Sequence, residues 1–142
     1  MPKKILVVDD SALMRRVMCD IINSDSKFQA TDYCRDGLEA YEKLKHTSYD
    51  GVVLDVNMPR MDGLQLLEKL QKEGIRANVV MVSTLTDSRE ADVTILAMER
   101  GAIDFVAKPT NIIEAKGEAF KRQLLGCLLY TSPSPRDKRQ SR

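Results

Sequence analysis

The sequence of 142 residues lacks the features that mark several large classes of protein. Its three cysteines are an odd number without C-x-x-C spacing, which argues against a secreted disulfide framework. No apolar stretch approaches the roughly 20 residues of a membrane-spanning helix. The first predicted strand begins too close to Met1 to leave room for a signal peptide. These absences predict a cytoplasmic chain.

The charge of the chain is nearly balanced, with 22 basic and 21 acidic side chains and a formal charge of +1. Residues 127–142 carry a local charge of +3, so the first 126 residues are mildly acidic at −2. A mildly acidic body with a short basic end gives no support for nucleic-acid binding by the domain. We therefore expect neither nucleic-acid binding nor membrane insertion.

Four short runs rich in Val, Ile and Leu end at polar residues. The runs cover residues 4–8, 51–54, 78–82 and 103–107, and the residues that follow them are Asp9 with Asp10, Asp55, Ser83 and Lys108. Short apolar runs separated by helical patterns are typical of parallel strands buried on both faces. Because parallel strands point the same way, their carboxyl ends share one edge, where open α/β sheets bind ligands. Three carboxylates, a hydroxyl and an ammonium at that edge predict a magnesium-dependent phosphoryl site.

Helical patterns and one further strand, over residues 28–34, complete the alternation. The predicted helices begin after the cap residues Ser11, Asp36, Asp62, Asp87 or Ser88, and Asn111. Glu or Gln follows most of these caps three residues later, as in a capping box. Gly74 and Gly101 fall where the third and fourth helices should stop. The repeated β-α order predicts an α/β protein with a doubly wound parallel sheet and helices on both faces.

The composition changes near Gly126. The residues that follow include prolines, serines and basic side chains without apolar periodicity. Such a sequence buries too little surface to offset the entropy lost on ordering. We expect a domain over residues 1–125 and a disordered or non-native tail over residues 126–142. A functional basic tail is the alternative.

Four motifs stand in order along the chain. They are Val7-Val8-Asp9-Asp10-Ser11, LDVNMPRMDG over residues 54–63, Met81-Val82-Ser83, and GAIDFVAKP over residues 101–109. Together they resemble the receiver domain of bacterial two-component response regulators, the CheY-like family. The resemblance covers about residues 3–125. It implies a flavodoxin-like fold with five parallel strands in the order 2-1-3-4-5.

The same resemblance implies a phosphorelay function. Asp55 resembles the phosphoacceptor, which takes a phosphoryl group from a histidine kinase and becomes an acyl phosphate. Asp9, Asp10, Asp55 and the backbone carbonyl of Asn57 resemble the Mg²⁺ ligands, with Asp10 in direct contact and Asp9 acting mainly through water. Three neighbouring carboxylates raise one another's pKa unless a cation is present, and Mg²⁺ prefers oxygen ligands, which agrees with this assignment.

The remaining matches imply a conformational switch. Ser83, beside Thr84, resembles the switch hydroxyl, and Lys108 resembles the cation that contacts the phosphoryl group. Phe105 occupies the position of the switch aromatic, which moves inward when the hydroxyl is engaged. Pro109 matches a cis-proline of the family, and a cis bond is accessible before proline.

Further sequence details indicate the output of the receiver. Residues 10–16, 82–86 and 104–109 look most like the N-terminal receiver of chemotaxis protein-glutamate methylesterases, which precedes an esterase that demethylates chemoreceptors. No glycine of this chain begins a G-x-S-x-G motif and His46 is its only histidine, so we expect no esterase triad within it. The chain is then a regulatory domain, with a methylesterase catalytic domain as partner in cis or in trans. The receiver of a DNA-binding transcriptional regulator and a stand-alone receiver are the alternatives.

A haloacid-dehalogenase-type phosphatase is a catalytic rival, because it also uses a strand-end aspartate and Mg²⁺. Its motif requires a second aspartate two residues after the nucleophile, and this chain has Asn57 at that position. An acidic pair near the N-terminus is not part of that motif either. The rival reading is therefore rejected.

Overall fold

The computed structural model describes residues 2–84 and 90–129. Within them, parallel strands alternate with helices in the predicted order. The strands are β1 Lys3–Val8, β2 Phe28–Cys34, β3 Gly51–Leu54, β4 Val79–Ser83 and β5 Ala102–Ala107. The helices are α1 Ala12–Asn23, α2 Gly37–His46, α3 Gly63–Lys72, α4 Glu90–Glu99, α5 Ile112–Ala115 and α6 Glu118–Leu128.

The five strands form one parallel sheet in the order β2-β1-β3-β4-β5. Alternate residues of each central strand point to opposite faces, and each face has its own core. Helices α1 and α6 cover one face, with Ile5, Val7 and Val53 beneath them. Helices α2, α3 and α4 cover the other, with Leu6 and Val8 beneath them. The fold class, the strand order and the helices on both faces are therefore confirmed.

The predicted caps fix where the helices begin. Ser11 Oγ accepts from the N–H of Met14 at α1, and Asp36 Oδ1 accepts from the N–H of Glu39 at α2. At α3 the capping box is complete: Asp62 Oδ1 accepts from the N–H of Gln65, and Gln65 Oε1 accepts from the N–H of Asp62. These caps start each helix just beyond the carboxyl edge of the sheet. The predicted cap of α4 lies outside the described residues.

Gly74 and Gly101 have φ angles of 70° and 103°, in the left-handed region that glycine adopts without strain. Each follows the end of a helix, as the sequence predicts. The chain can thus turn sharply after α3 and α4 and enter the next strand within a few residues.

The end of the domain differs from prediction in two respects. The single last helix expected after Asn111 is divided, because α5 ends at Ala115 and α6 starts after Gly117, whose helix propensity is low. α6 also continues past the expected boundary at residue 126, to Leu128, and buries that side chain completely. The apolar stripe of α6 extends past the position where the composition changes. Residues 130–142 lie outside the described part of the chain, so the prediction for them stays a prediction.

None of the helices in the described residues is both long and apolar enough to cross a lipid bilayer.

Candidate functional site

The strand-end residues meet at the carboxyl edge of the sheet, as the sequence predicts. The N–H of Asp55 donates to the carbonyl of Val8, which aligns the ends of β3 and β1. The N–H of Lys108 donates to the carbonyl of Ser83, which aligns the ends of β5 and β4. Asp9 is 0% exposed and Asp55 only 4% exposed. Two ionisable side chains are therefore held in the interior by the ladder hydrogen bonds of the sheet.

Lys108 joins the two buried carboxylates. Its Nζ lies 2.8 Å from Asp9 Oδ2 and 3.1 Å from Asp55 Oδ2, where it donates a hydrogen bond to Asp55. Burial lowers the pKa of Lys108, but contacts with the two carboxylates outweigh burial and raise the pKa above its usual value. The ammonium is therefore a fixed positive charge at the centre of the site.

Burial and two neighbouring charges of opposite sign shift the pKa of Asp55. Burial raises its pKa most, the negative charge of Asp9 raises it further, and Lys108 only partly offsets both, so that the pKa rises from 3.8 to about 6. The nearby Ser83 hydroxyl lowers the pKa of Asp55 by a smaller amount. The carboxylate is thus ionised at neutral pH but is poorly solvated, as suits a nucleophile.

Asp9, Asp10 and Asp55 together form an acidic cluster. One oxygen of each lies within 4.8 Å of the others, and Asp10 is exposed while its two neighbours are buried. Asp9 Oδ1 accepts from the N–H of Ser11, whereas Asp9 Oδ2 has no partner with hydrogen-bond geometry among the described residues, although Lys108 is near. An all-oxygen donor set with a buried, incompletely paired oxygen fits a hard divalent cation such as Mg²⁺.

Asn57 was predicted to add a backbone carbonyl to this donor set. It lies two residues past Asp55, exposed, in the loop between β3 and α3. The chain position agrees with that role, and the ligation itself stays a prediction.

The residues predicted to form the switch lie along the β4–β5 side of the site. Ser83 is fully buried, and its hydroxyl has no hydrogen-bond partner among the described residues. Thr84 is exposed directly after it. Phe105 is half-buried and packs against the core beneath α2, α3 and α4, where it lies opposite Met81. An unpaired buried hydroxyl next to Asp55 is free to donate to a group attached there.

Pro109 corrects one prediction. No peptide bond in residues 2–84 and 90–129 is cis, so the bond between Lys108 and Pro109 is trans. The cis and trans forms of an X-Pro bond differ by only about 0.5–1 kcal/mol, so the sequence alone does not determine the isomer. Lys108 reaches the two carboxylates with the bond in the trans form.

Two arginines that support the site were not identified from the sequence. Arg15 Nη1 donates to the backbone carbonyl of Asp9 across the first turn of α1. Arg60 Nε and Nη2 both donate to Asp36 Oδ2, 24 positions away in the sequence. The first could be found from its position one turn after the cap of α1. The second had no local signal, because it depends on how two loops meet.

Comparison with known families and proteins agrees with this geometry. A family model of the response regulator receiver domain matches residues 5–117. Among curated proteins, the protein-glutamate methylesterase/protein-glutamine glutaminase of Pyrococcus horikoshii is 44% identical over 133 residues, which cover 94% of this chain and 36% of that protein. The protein of the same description from Thiobacillus denitrificans is 48% identical over 113 residues, 79% of this chain and 31% of its own length. This chain therefore spans about a third of the length of these relatives.

Solved structures show the same similarity. The response regulator domain of CheB from Thermotoga maritima superposes with a TM-score of 0.80 at 34% identity, covering 95% of this chain and all of that one. A chain of the CheX–CheY–BeF3–Mg²⁺ complex from Borrelia burgdorferi superposes with a TM-score of 0.75 at 28% identity, covering 91% of this chain and 88% of that one.

Proposed function

The chain belongs to the response regulator receiver domain family, and we propose that Asp55 is its phosphoacceptor in a Mg²⁺-dependent phosphorelay. The observation that carries this proposal is the contact of one buried ammonium, Lys108, with both Asp9 and Asp55. A structural ion pair needs one carboxylate, whereas this site holds two buried carboxylates with a third, Asp10, beside them. Such an excess of negative charge is destabilising unless a cation binds, and it is therefore a mark of function.

The reaction follows from the positions of these side chains. A carboxylate oxygen of Asp55 forms a bond to the phosphorus of the donor, while the bond between phosphorus and the donor's leaving atom breaks and that atom takes the electron pair. The product is an acyl phosphate on Asp55. Lys108 is placed to neutralise charge on the phosphoryl oxygens, because it already contacts Asp55.

Asp9, Asp10, Asp55 and the carbonyl of Asn57 would hold Mg²⁺, and the ion would neutralise the charge that the carboxylates and the phosphoryl group bring together. The Borrelia complex that resembles this chain contains Mg²⁺ and BeF3, a mimic of a phosphoryl group. In this chain we assign the donor role to a histidine kinase. A small phosphodonor such as acetyl phosphate would serve in vitro.

Ser83 supplies the switch in this proposal. Its buried hydroxyl would donate to an oxygen of the new phosphoryl group, which pulls the end of β4 toward the site and leaves space for Phe105 to move inward. The change is a shift in population between two states of the α4–β5–α5 face.

The switch can be tested with beryllofluoride, which binds aspartate as a stable phosphoryl mimic. In the wild-type chain, beryllofluoride with Mg²⁺ should change the amide NMR shifts around both Asp55 and Phe105. Ser83→Ala should retain the changes around Asp55 and lose most of those around Phe105. Equal changes around Phe105 in variant and wild type would contradict the switch role. No response at Asp55 in the wild-type chain would contradict the phosphoacceptor assignment.

We propose further that this receiver regulates a protein-glutamate methylesterase in chemotaxis. Support comes from the curated relatives of that description, which match 94% and 79% of this chain. The chain also carries exposed apolar side chains on α4, β5 and α5, namely Ile95, Met98, Ile103 and Ile113, the last 81% exposed. In this proposal these side chains contribute to the surface on which the esterase docks, since contiguous exposed apolar patches are typical of docking surfaces.

A methylesterase catalytic domain supplied in trans should therefore bind this chain, and should bind it more weakly after beryllofluoride treatment. Regulation requires that difference, because a partner with equal affinity for both states shifts nothing. Ile95→Glu should weaken binding in the unactivated state, while Leu38→Glu, a matched exposed apolar side chain on α2, should not. Titration by isothermal calorimetry measures both. Absence of binding in either state, together with dimerisation on activation, would favour the transcription-factor alternative.

A further inference from the structure

Arg60 has an unusual backbone conformation. Its φ of 68° makes it the only non-glycine residue with a positive φ in residues 2–84 and 90–129. This left-handed conformation costs a side-chain-bearing residue free energy, whereas glycine adopts it freely. The residue stands in the loop between β3 and α3, three positions after Asn57. Something other than backbone preference must therefore favour arginine there.

The Arg60 side chain fastens this loop to the start of α2. Its Nε and Nη2 lie 3.0 and 2.6 Å from the same oxygen of Asp36. Asp36 is 4% exposed and uses its other oxygen to cap α2 through the N–H of Glu39. Burial raises the pKa of Asp36, but the Glu39 N–H and the Arg60 guanidinium outweigh burial and lower it. The carboxylate is thus held in place from both sides.

A second contact joins the same two segments. The N–H of Gly37 donates to the carbonyl of Met61 at 2.9 Å. A Cβ atom at Gly37 would collide with that carbonyl and with the Met61 side chain. The loop therefore touches α2 at two adjacent positions, one through a side chain and one through the backbone. We call this pair of contacts the α2 clamp.

The α2 clamp acts on the segment that carries the predicted carbonyl ligand. Six residues separate Asp55 from the α3 cap Asp62, and the N–H of Gly63 donates to the carbonyl of Val56, which closes the segment into a compact loop. The ends of this loop are fixed by β3 and α3. Its second half, three and four positions after Asn57, is fixed to the rest of the domain by the α2 clamp.

We propose that Arg60 is a positioning residue for the metal site: by tying the β3–α3 loop to Asp36, it holds the backbone carbonyl of Asn57 where Mg²⁺ is bound. The inference rests on the proposed function. The Arg60 side chain is 56% exposed and that of Asp36 only 6%, so the pair stabilises the fold more than a fully exposed pair would. The left-handed backbone at Arg60 offsets part of that gain. What arginine adds beyond this balance is the position of the loop.

The test compares Mg²⁺ affinity with thermal stability. Arg60→Gly removes the ion pair of the α2 clamp and also the backbone strain; the two effects on the melting temperature oppose each other, so the change should be small. Mg²⁺ dissociation constants come from titration of amide NMR shifts in the absence of phosphodonor. Loss of an outer contact to a metal ligand typically weakens affinity 10–100-fold. Because the Gly37–Met61 contact survives, we expect a smaller loss for Arg60→Gly, on the order of threefold to tenfold.

Three further variants sharpen the test. Asp36→Asn keeps an N-cap side chain and loses the ion pair, so it should weaken Mg²⁺ binding as Arg60→Gly does. The double variant should bind Mg²⁺ no more weakly than either single variant, because both substitutions remove the same contact. Arg60→Lys should recover part of the affinity. Arg35→Ala, which removes an exposed ion pair with Glu39 beside the same helix start, is the matched control and should leave the affinity unchanged.

Wild-type affinity in both Arg60→Gly and Asp36→Asn would overturn the proposal while leaving the phosphoacceptor assignment intact. Failure of the wild-type chain itself to bind Mg²⁺ would contradict the proposed function, and the clamp proposal would fail with it. A drop in melting temperature that parallels the loss of affinity across all variants would show a purely structural role.

Discussion

Asp55→Asn should abolish phosphorylation of the chain and at the same time make the folded domain more stable. The amide is not a nucleophile for phosphorus under these conditions, so labelling by acetyl phosphate should fall to background. The buried negative charge is removed together with its repulsion from Asp9, so the free energy of unfolding should rise. Intact-mass spectrometry and urea unfolding measure the two effects on the same sample.

The size and pH dependence of the stability gain follow from the raised pKa of Asp55. This pKa lies at about 6 in the folded chain against 3.8 for the ordinary group. Between those values the folded state binds more protons than the unfolded state, so wild-type stability falls as the pH rises from about 4 to about 6. At neutral pH the ionised group costs on the order of 3 kcal/mol. Asp55→Asn should show a shallower decline over the same pH range.

Asp20→Asn provides a matched control, because Asp20 is an exposed carboxylate on α1. Its labelling and stability should equal those of the wild type. Undiminished labelling of Asp55→Asn would refute the assignment of the phosphoacceptor. A loss of labelling with a large loss of stability would instead indicate misfolding.

Lys108→Met should destabilise the chain and slow phosphorylation, with Mg²⁺ restoring part of the stability. The substitution keeps the apolar stem and removes the positive charge that contacts both Asp9 and Asp55. Removing one partner of a buried ion pair typically costs about 3–5 kcal/mol, and protonation of Asp55 will reduce the loss here. Loss of a donor to the transition-state charge should slow labelling on the order of a hundredfold. Bound Mg²⁺ stabilises the folded state by mass action.

Lys121→Met is the control for this experiment. Lys121 makes an exposed contact of 4.0 Å with Glu118 on α6, and such a pair contributes little. Urea unfolding with and without Mg²⁺, and initial labelling rates, should separate the two variants clearly. Equal stability of Lys108→Met and Lys121→Met without Mg²⁺ would contradict the role of Lys108 between the two carboxylates.

Most of the fold and the centre of the site could be predicted because their signals are local. The strand ends are marked by apolar runs that stop at Asp9, Asp55, Ser83 and Lys108. A parallel sheet then brings these ends to one edge, as the distances from Lys108 show. The caps were equally local, since each depends on a side chain and a backbone N–H three residues apart.

The features that escaped prediction depend on small energy differences or on contacts between distant segments. The cis and trans isomers of the bond before Pro109 differ in free energy by about 1 kcal/mol or less. α6 extends past the expected boundary at residue 126, because the buried position of Leu128 depends on packing in the core and not on the composition around it. The pairing of Arg60 with Asp36 joins two loops that are 24 residues apart.

The phosphorylated residue can be identified directly by trapping the acyl phosphate. The wild-type chain is treated with acetyl phosphate and Mg²⁺ and then reduced with borohydride, which converts an aspartyl phosphate to homoserine at the labelled position. Peptide mass spectrometry should find homoserine at position 55, only when Mg²⁺ is present and not after chelation of the metal. Homoserine at another aspartate, or equal conversion of Asp55 without Mg²⁺, would contradict a magnesium-dependent phosphoacceptor at Asp55.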